Sequence, residues 1–261
     1  MPELPEITLF RNYVRETSVG KKITKVEFPE TSLLQSPASK FEEALVGEKF
    51  EKTERLGKYL GLSTTDKSWL IFHFGMTGKL EYYANQEPPK YAKMIISFDD
   101  DYKLSYSCRR KLGKIFLAET LVEFKAENEL GEDALQLSEN EFLKLLEDKT
   151  GSIKAVLMDQ HVMAGLGNVY SDEMLYQAGI HPKSRTNHLS ASEKKQLYKE
   201  MIAVLELAIE KEGVRDDFPE DYLIRHRKDG ADCPKCEGEI KQIKVAGRST
   251  YFCPSCQKEE K

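Results

Sequence analysis

Four cysteines near the end of the chain constrain its fold more than any other feature: Cys233-Pro-Lys-Cys236, then sixteen residues, then Cys253-Pro-Ser-Cys256. Two C-x-x-C knuckles at this separation suit four thiolates around one tetrahedral zinc ion. The stretch between them, EIKQIKVAGRSTYF, reads as a hairpin. Ile240, Ile243, Val245, Tyr251 and Phe252 favour strand, and Ala246-Gly247-Arg248 supplies the turn. A hairpin pinned at its base carries the cation of Arg248 rigidly outward. The alternative of two disulfides demands an oxidising compartment, and nothing else in the chain speaks for one. Zinc hairpins occur in many kinds of protein, including ribosomal, topoisomerase and RNA-binding ribbons. The fifth cysteine, Cys108, stands apart and reads as a buried thiol.

The rest of the chain must decide what the hairpin serves. Its 261 residues suffice for two domains, or for one with appendages. A content of 40% apolar and 32% charged residues is that of a globular protein. No apolar run approaches a membrane span, and no basic-then-apolar signal opens the chain, so a cytoplasmic location is expected. The net charge of −5 argues mildly against a general polyanion binder. Charge is nevertheless local. Between residues 222 and 258, eight Lys/Arg stand against four Asp/Glu.

The periodicity divides the remainder into three textures. Residues 5–18 pattern as a helix, with Ile7, Phe10 and Val14 on one face and Gly20 beyond its end. From Lys22 to Ala118 come short runs of β type: KITKVEF, KYLGLST, SWLIFHF, AKMIISF, YKLSYS and KIFLA. Their spacing predicts a two-layer β-sandwich or flattened barrel. From Leu121 onward the texture is helical, clearest over residues 192–212. Ser190 and Glu193 form a capping box there, and Gly213 is the stop. The expected fold is α+β and multidomain: a β-sandwich with a leading helix over 1–125, a helical domain over 126–221, and a zinc hairpin over 222–261.

Two short motifs carry chemistry. Gly165-Leu166-Gly167-Asn168 interrupts two helical stretches, with Asn168 placed to cap the second. Unobstructed amides at a helix start suit a phosphate, although such a turn is more often a plain connection. The chain opens MPELPE, and a small second residue usually permits removal of the initiator Met, leaving Pro2 with the free amine. An α-amino group titrates near 8, against roughly 10.4 for lysine, so part of it is unprotonated at neutral pH and able to attack an aldehyde-like carbon. The other reading is a stiff, solvated end, with Pro5 starting a helix.

Taken together and in order, MPELPE, GKYL at 57–60, HFGMTGKL from His73, RRKLGK from Arg109, IKAVLMDQ…GLGNVYSDE from Ile153 and GRSTYFCPSCQ resemble the formamidopyrimidine-DNA glycosylase and endonuclease VIII family of base-excision repair enzymes. The leucine of MPELPE favours the formamidopyrimidine branch. The resemblance implies a β-sandwich, a helix–two-turn–helix domain and a zinc finger acting as a monomer on damaged double-stranded DNA, in a bacterial cytoplasm at the nucleoid. It implies that Pro2 attacks C1′ and forms a Schiff base, and that Glu3 is the general acid with Glu6 as its carboxylate neighbour. Lys58 would assist strand cleavage, and Arg248 would hold the phosphate flanking the flipped base and assist a second elimination. Lys154, Asn168 and Lys149 would clamp phosphate from the helical domain.

The same resemblance implies that Met76, Arg110 and Leu112 fill the hole left by the extruded base. Leu112 stands where the family has phenylalanine, which implies a weaker wedge. Lys111 replaces a family arginine and keeps only a point charge toward phosphate. Tyr91 stands where the family has a DNA-contacting histidine, and LIRHRKDGADC departs from the usual approach to the zinc site. The family's long loop over the flipped purine would here be no longer than VRDDFPEDYL, which implies looser discrimination among lesions. A damaged-DNA binding protein of the same fold, without catalysis, is the alternative.

Overall fold

A computed structural model describes residues 2–258. Met1, whose removal the sequence leads one to expect, lies outside the described residues, as do residues 259–261 of the expected third domain. The chain divides into two compact units: Pro2 with Glu6–Glu129, and Glu3–Pro5 with the chain from Leu130 onward.

The first unit takes α1 (Leu4–Thr17) from Glu6 onward, with Ile7 and Val14 buried. There follow β1 (Ile23–Glu27), α2 (Ala38–Leu45), β2 (Phe50–Leu56), β3 (Tyr59–Thr64), β4 (Trp69–His73), β5 (Gly78–Tyr83), β6 (Ala92–Phe98), β7 (Lys103–Cys108), β8 (Lys114–Ala118) and α3 (Leu121–Glu127). The strands form two antiparallel four-stranded sheets, ordered β1-β6-β7-β5 and β2-β3-β4-β8. Leu60, Leu62, Phe72, Met94, Ile96, Leu104 and Tyr106 share one buried core with side chains from α1 and α2. The expected sandwich is present, with two strands more than the six anticipated. β2 (FEKTERL) has only its apolar Phe50 and the Arg55 stem buried, so it shows no apolar alternation. β5 begins within the HFGMTGKL motif. Cys108 is buried and free, as expected.

The second unit contains β9 (Glu132–Asp133), α4 (Glu139–Glu147), α5 (Ile153–Met158), β10 (Met163–Ala164), α6 (Asn168–Gln177), α7 (Ala191–Glu210), β11 (Lys241–Val245) and β12 (Arg248–Phe252). α7 is amphipathic as anticipated, burying Leu197, Met201, Val204, Leu205 and Ala208. The capping box of Ser190 and Glu193 is formed, and Gly213 (φ +66°) donates to Ala208 O at 2.9 Å, closing the helix as its sequence position requires. α6 differs: every residue from Tyr170 to Tyr176 is buried, Ser171, Asp172 and Glu173 included. Leu4 belongs to this unit's core, beside Leu166, Tyr170 and Leu175. A smaller cluster of Tyr176, Leu223, Ile240, Cys233 and Cys253 lies under the hairpin.

Residues 211–227 form a compact connection rather than an excursion. Phe218 is buried. The Arg225 guanidinium donates to Phe218 O at 3.1 Å, and the Glu173 carboxylate receives the amides of Leu223 (3.1 Å) and Ile224 (2.6 Å).

Candidate functional site

The Gly-Leu-Gly-Asn turn binds the chain's own N-terminal segment. The Glu3 carboxylate, almost wholly buried, accepts the amides of Gly167 and Val169, each at 2.9 Å, and of Tyr170 at 3.4 Å. Leu4 N donates to Gly165 O at 3.0 Å. These are the unpaired amides of the α6 start, and an anion there is favoured by the helix dipole as well. The glycines are required for contact: a Cβ on Gly167 would lie 2.3 Å from Glu3 Cδ, and one on Gly165 2.6 Å from Leu4 Cδ1. The turn is therefore neither a plain connection nor a phosphate cradle, because the Glu3 carboxylate occupies its amides. Gly167, not Asn168, is the N-cap residue, and Asn168 is the first residue of α6.

Asn168 turns instead toward the hairpin, donating from Nδ2 to Ser249 O at 2.9 Å and accepting from Lys154 Nζ at 2.8 Å. Lys154 has none of its surface exposed. Its ammonium also donates to Asp172 Oδ1 (2.5 Å) and Thr250 Oγ1 (2.7 Å), so all three of its N–H groups are engaged. Burial pushes its pKa below the usual lysine range, against the pull of Asp172. In this arrangement Lys154 supports Asn168 and β12 and has no donor left for a phosphate. Lys149 is half-buried in the connection between α4 and α5. Arg248 is exposed. It pairs with Val245 as the first residue of β12, not within the turn, which is the two-residue Ala246-Gly247 (φ +48° and +74°).

In the first unit, Pro2 and Glu6 are partly exposed, Glu6 in the first turn of α1. Lys58 follows Gly57 in the tight connection from β2 to β3. Near it lies His73, which sequence reasoning passed over. Burial, aided by the charges of Lys58 and Lys114, lowers the His73 pKa to about 4 and keeps the ring neutral at pH 7. Met76, Arg110, Lys111 and Leu112 are all exposed, Met76 by 40% and Leu112 by 50%. Their two loops are locked together. Arg110 N donates to Thr77 Oγ1 at 3.0 Å, and Gly75 (φ +56°) approaches Leu112 so closely that a Cβ would sit 2.4 Å from its carbonyl carbon. Lys111, itself at φ +53°, pairs with Glu30 at 2.8 Å. The same carboxylate takes Lys93 at 2.5 Å, and the two lysines hold the Glu30 pKa down to about 2.

The four cysteines converge as their spacing required. Their sulfurs lie within 4.8 Å of one another, with separations of 3.8 Å (Cys233–Cys256), 3.6 Å (Cys236–Cys253) and 3.5 Å (Cys236–Cys256). These match the edges of a tetrahedron of thiolates about 2.3 Å from zinc and are too long for disulfides. The Gly238 amide reaches Cys236 Sγ at 3.3 Å, and the Tyr176 hydroxyl lies 3.2 Å from Cys233 Sγ. The donor set therefore suits one structural zinc ion, closed to substrate.

Three residues absent from the sequence reading organise the second unit: Asp172, Glu173 and Arg227. Asp172 Oδ2 accepts from Arg227 Nη2 (2.5 Å) and from the Tyr251 amide (3.1 Å), and Arg227 lies over the Tyr251 ring at 4.8 Å. The available signal was two adjacent acids in a helix that also carries Val169, Tyr170, Met174, Leu175 and Tyr176.

Comparison with known proteins agrees with this geometry. Residues 1–115 match the model of the formamidopyrimidine-DNA glycosylase N-terminal domain, residues 130–218 that of the formamidopyrimidine-DNA glycosylase H2TH domain, and residues 232–258 that of the zinc finger found in FPG and IleRS. The chain is 36% identical to the formamidopyrimidine-DNA glycosylase of Pelotomaculum thermopropionicum, covering 99% of both chains. It is 34% identical to that of Latilactobacillus sakei, covering 98% of both. Among solved structures, Lactococcus lactis Fpg in complex with DNA containing an abasic site superposes with a TM-score of 0.90 at 32% identity, covering 98% of this chain and 100% of that one. MutM in complex with carbocyclic 8-oxo-G DNA gives 0.90 at 32% identity, with 99% and 100% covered.

Proposed function

The chain belongs to the formamidopyrimidine-DNA glycosylase family, and on that premise we propose that it is a bifunctional DNA glycosylase and abasic-site lyase that removes oxidised bases. The lone pair of the Pro2 amine attacks C1′ of the extruded nucleoside, and the base departs with the glycosidic electron pair and takes up a proton. Opening of the sugar ring gives a Schiff base at Pro2. Loss of a C2′ proton then expels the 3′ phosphate, and a second elimination expels the 5′ phosphate. Glu3, once it has taken up a proton, supplies it near the sugar, with Glu6 three residues further along the chain; Lys58 serves the first elimination, and Arg248 holds the flanking phosphate through the second. Lys149, and the Asn168 N–H that Ser249 does not take, meet phosphate from the helical domain. Met76, Arg110 and Leu112 enter the vacated stack while Lys111 meets the backbone.

The single observation that carries this reading is the anchoring of Glu3. A chain end is ordinarily its least ordered part. Here the residue one peptide bond from the terminal amine is fixed by three amides of a rigid helix start. A solvated, merely stiff end would need neither those bonds nor the glycines that admit the carboxylate. We assign catalysis to residues 1–125, DNA grip to 126–221 and the zinc hairpin to 222–261, with the protein acting as a monomer on duplex DNA at the cytoplasmic nucleoid. The compact 211–227 connection supports looser lesion discrimination: ring-opened formamidopyrimidines and abasic sites are processed well, 8-oxoguanine less well, and some hydantoins or oxidised pyrimidines are accepted.

Borohydride reduction tests the mechanism. Protein lacking Met1 should be trapped covalently on lesion-bearing duplex, and protein forced to retain an extra N-terminal residue should not. Equal trapping of both forms would identify another amine as the nucleophile and overturn the reading.

A further inference from the structure

Arg248 stands at the tip of a hairpin of two five-residue strands, and an isolated hairpin of that size is marginal in water. Zinc fixes its base, since Cys253 follows β12 directly. The middle of β12 is held by something else. Three consecutive residues after Arg248 are tied to α5 and α6: Ser249 through its carbonyl to Asn168, Thr250 through its hydroxyl to Lys154, and Tyr251 through its amide to Asp172. Arg227 closes the group by pairing with Asp172 and stacking on the Tyr251 ring.

All these ties depend on one carboxylate. Asp172 receives the Tyr251 amide directly. It neutralises Lys154, which in turn holds Thr250 and orients Asn168 toward Ser249. It also fixes Arg227 by two guanidinium bonds, at 2.5 and 3.2 Å. Without it, two cations would share a buried space, Lys154 with none of its side chain exposed and Arg227 with 10%, an arrangement that is costly unless a counter-charge is present. Thr250 additionally donates to Arg248 O at 3.2 Å, so the network reaches the backbone of the tip residue.

We propose that Asp172 is a positioning residue for the second elimination: through Lys154, Arg227 and the Tyr251 amide it sets the reach and register of the hairpin that presents Arg248. This rests on the role given to Arg248 above. Asp172 touches no reacting atom, and the nucleophile at Pro2 does not depend on it. Its loss therefore separates the two halves of the reaction.

The test uses the zinc-loaded full chain carrying Asp172→Asn, which preserves shape but places an amide donor against a cation, and separately Arg227→Gln, which leaves the Lys154–Asp172 pair intact. On duplex with a natural abasic site, borohydride trapping should stay within roughly twofold of wild type. The fraction of product that has lost the sugar at both phosphates should fall roughly tenfold to a hundredfold, the scale expected for ångström misplacement of a functional group. In an Arg248→Ala background, Asp172→Asn should add less than about twofold, because a residue acting through another is not additive with it. Equal losses of trapping and of the second elimination, or full additivity with Arg248→Ala, would overturn the proposal. Hydrogen exchange at the Tyr251 amide reads the positioning without reference to chemistry. It should quicken in both variants at unchanged zinc content, and unchanged exchange would also overturn the proposal. If exchange quickens but Arg248→Ala leaves the product pattern untouched, the role assigned to Arg248 has failed while the anchoring by Asp172 stands. If Asp172→Asn fails to fold, Arg227→Gln carries the same comparisons.

Discussion

Gly167→Ala is the smallest change that isolates how the N-terminal segment is held. Gly167 lies at φ −131°, ψ −156°, extended backbone that alanine adopts freely. The cost is therefore steric, and it falls on one group. The new methyl would stand 2.3 Å from Glu3 Cδ, 2.5 Å from Oε1 and 2.7 Å from Cγ, so the carboxylate must leave. It then loses two amide bonds at 2.9 Å and a longer one at 3.4 Å. At about 1.5–3 kcal/mol for a bond to a charged group, and with some rehydration of the freed amides, the loss is about 3–5 kcal/mol. Urea unfolding of the second unit should register it, and base excision should fall by at least about a hundredfold as the terminal amine loses its fixed geometry. In a Glu3→Ala background the same substitution should cost under about 0.5 kcal/mol, since the methyl then meets no carboxylate. Wild-type stability and excision in Gly167→Ala, or an equal cost in both backgrounds, would refute the reasoning.

Three further outcomes follow from particular contacts. Cys253→Ser should release zinc, unravel the hairpin and abolish DNA binding while the β-sandwich stays folded, because metal binding and folding are coupled in so small an element; metal analysis with circular dichroism checks it. Burial, opposed by the bonds from Gln177 and the amides of Ile224 and Leu223, raises the Glu173 pKa from 4.5 to about 7. The folded state thus binds the extra proton between those values, so the contribution of Glu173 to stability is greatest below pH 4.5 and declines as pH rises through 7, by about 3 kcal/mol at most. The stability difference between wild type and Glu173→Gln, measured in urea across that range, should track this decline. Leu112→Ala should leave folding unchanged, since half the side chain is exposed, yet weaken binding to an abasic-site duplex by about 2 kcal/mol, roughly thirtyfold, if leucine inserts into the stack; equal affinity would exclude it as a wedge.

Much of this was legible where the chemistry is local. The zinc set follows from four cysteines in two adjacent knuckles, and the α7 cap from Ser190 and Glu193 three positions apart. The sandwich was visible because most of its strands alternate or run apolar. β2 was not, because FEKTERL lies at a sheet edge and exposes Glu51, Lys52 and Glu54, with no apolar alternation. Less legible was anything that depends on contacts distant in sequence. Glu3 and Gly167 are separated by 164 positions, so the glycines read as a phosphate cradle or as a plain connection. Lys154 stood as a phosphate clamp implied by the resemblance, and lysines seldom lie fully buried. Only the fold reveals that Asp172, Asn168 and Thr250 satisfy all three of its donors. Asp172 and Glu173 were quoted only as part of the GLGNVYSDE motif, and their partners at Tyr251, Arg227, Leu223 and Ile224 lie 50 or more positions away.

The choice to give the α6 amides to Glu3 rather than to a phosphate has a physical logic. In the proposed mechanism, with Met1 removed, a nucleophile at residue 2 would have no chain on its other side to hold it, and ordering a terminal residue costs about 1–2 kcal/mol of backbone entropy, plus whatever each neighbour adds. Pro2 lowers that cost itself, because its ring fixes φ. Glu3 supplies the remaining restraint through its amide bonds, and Leu4 adds a backbone bond to Gly165 and full burial in the helical core. An internal lysine could serve as an amine without such anchoring, but it would be a stronger base and mostly protonated at neutral pH. In the proposed mechanism the terminal proline would gain its reactive free amine at the expense of a loose end, and the Gly-Leu-Gly-Asn turn would remove the looseness. Any substitution that fills the space of Gly165 or Gly167 should therefore impair attack at C1′ before it impairs DNA binding.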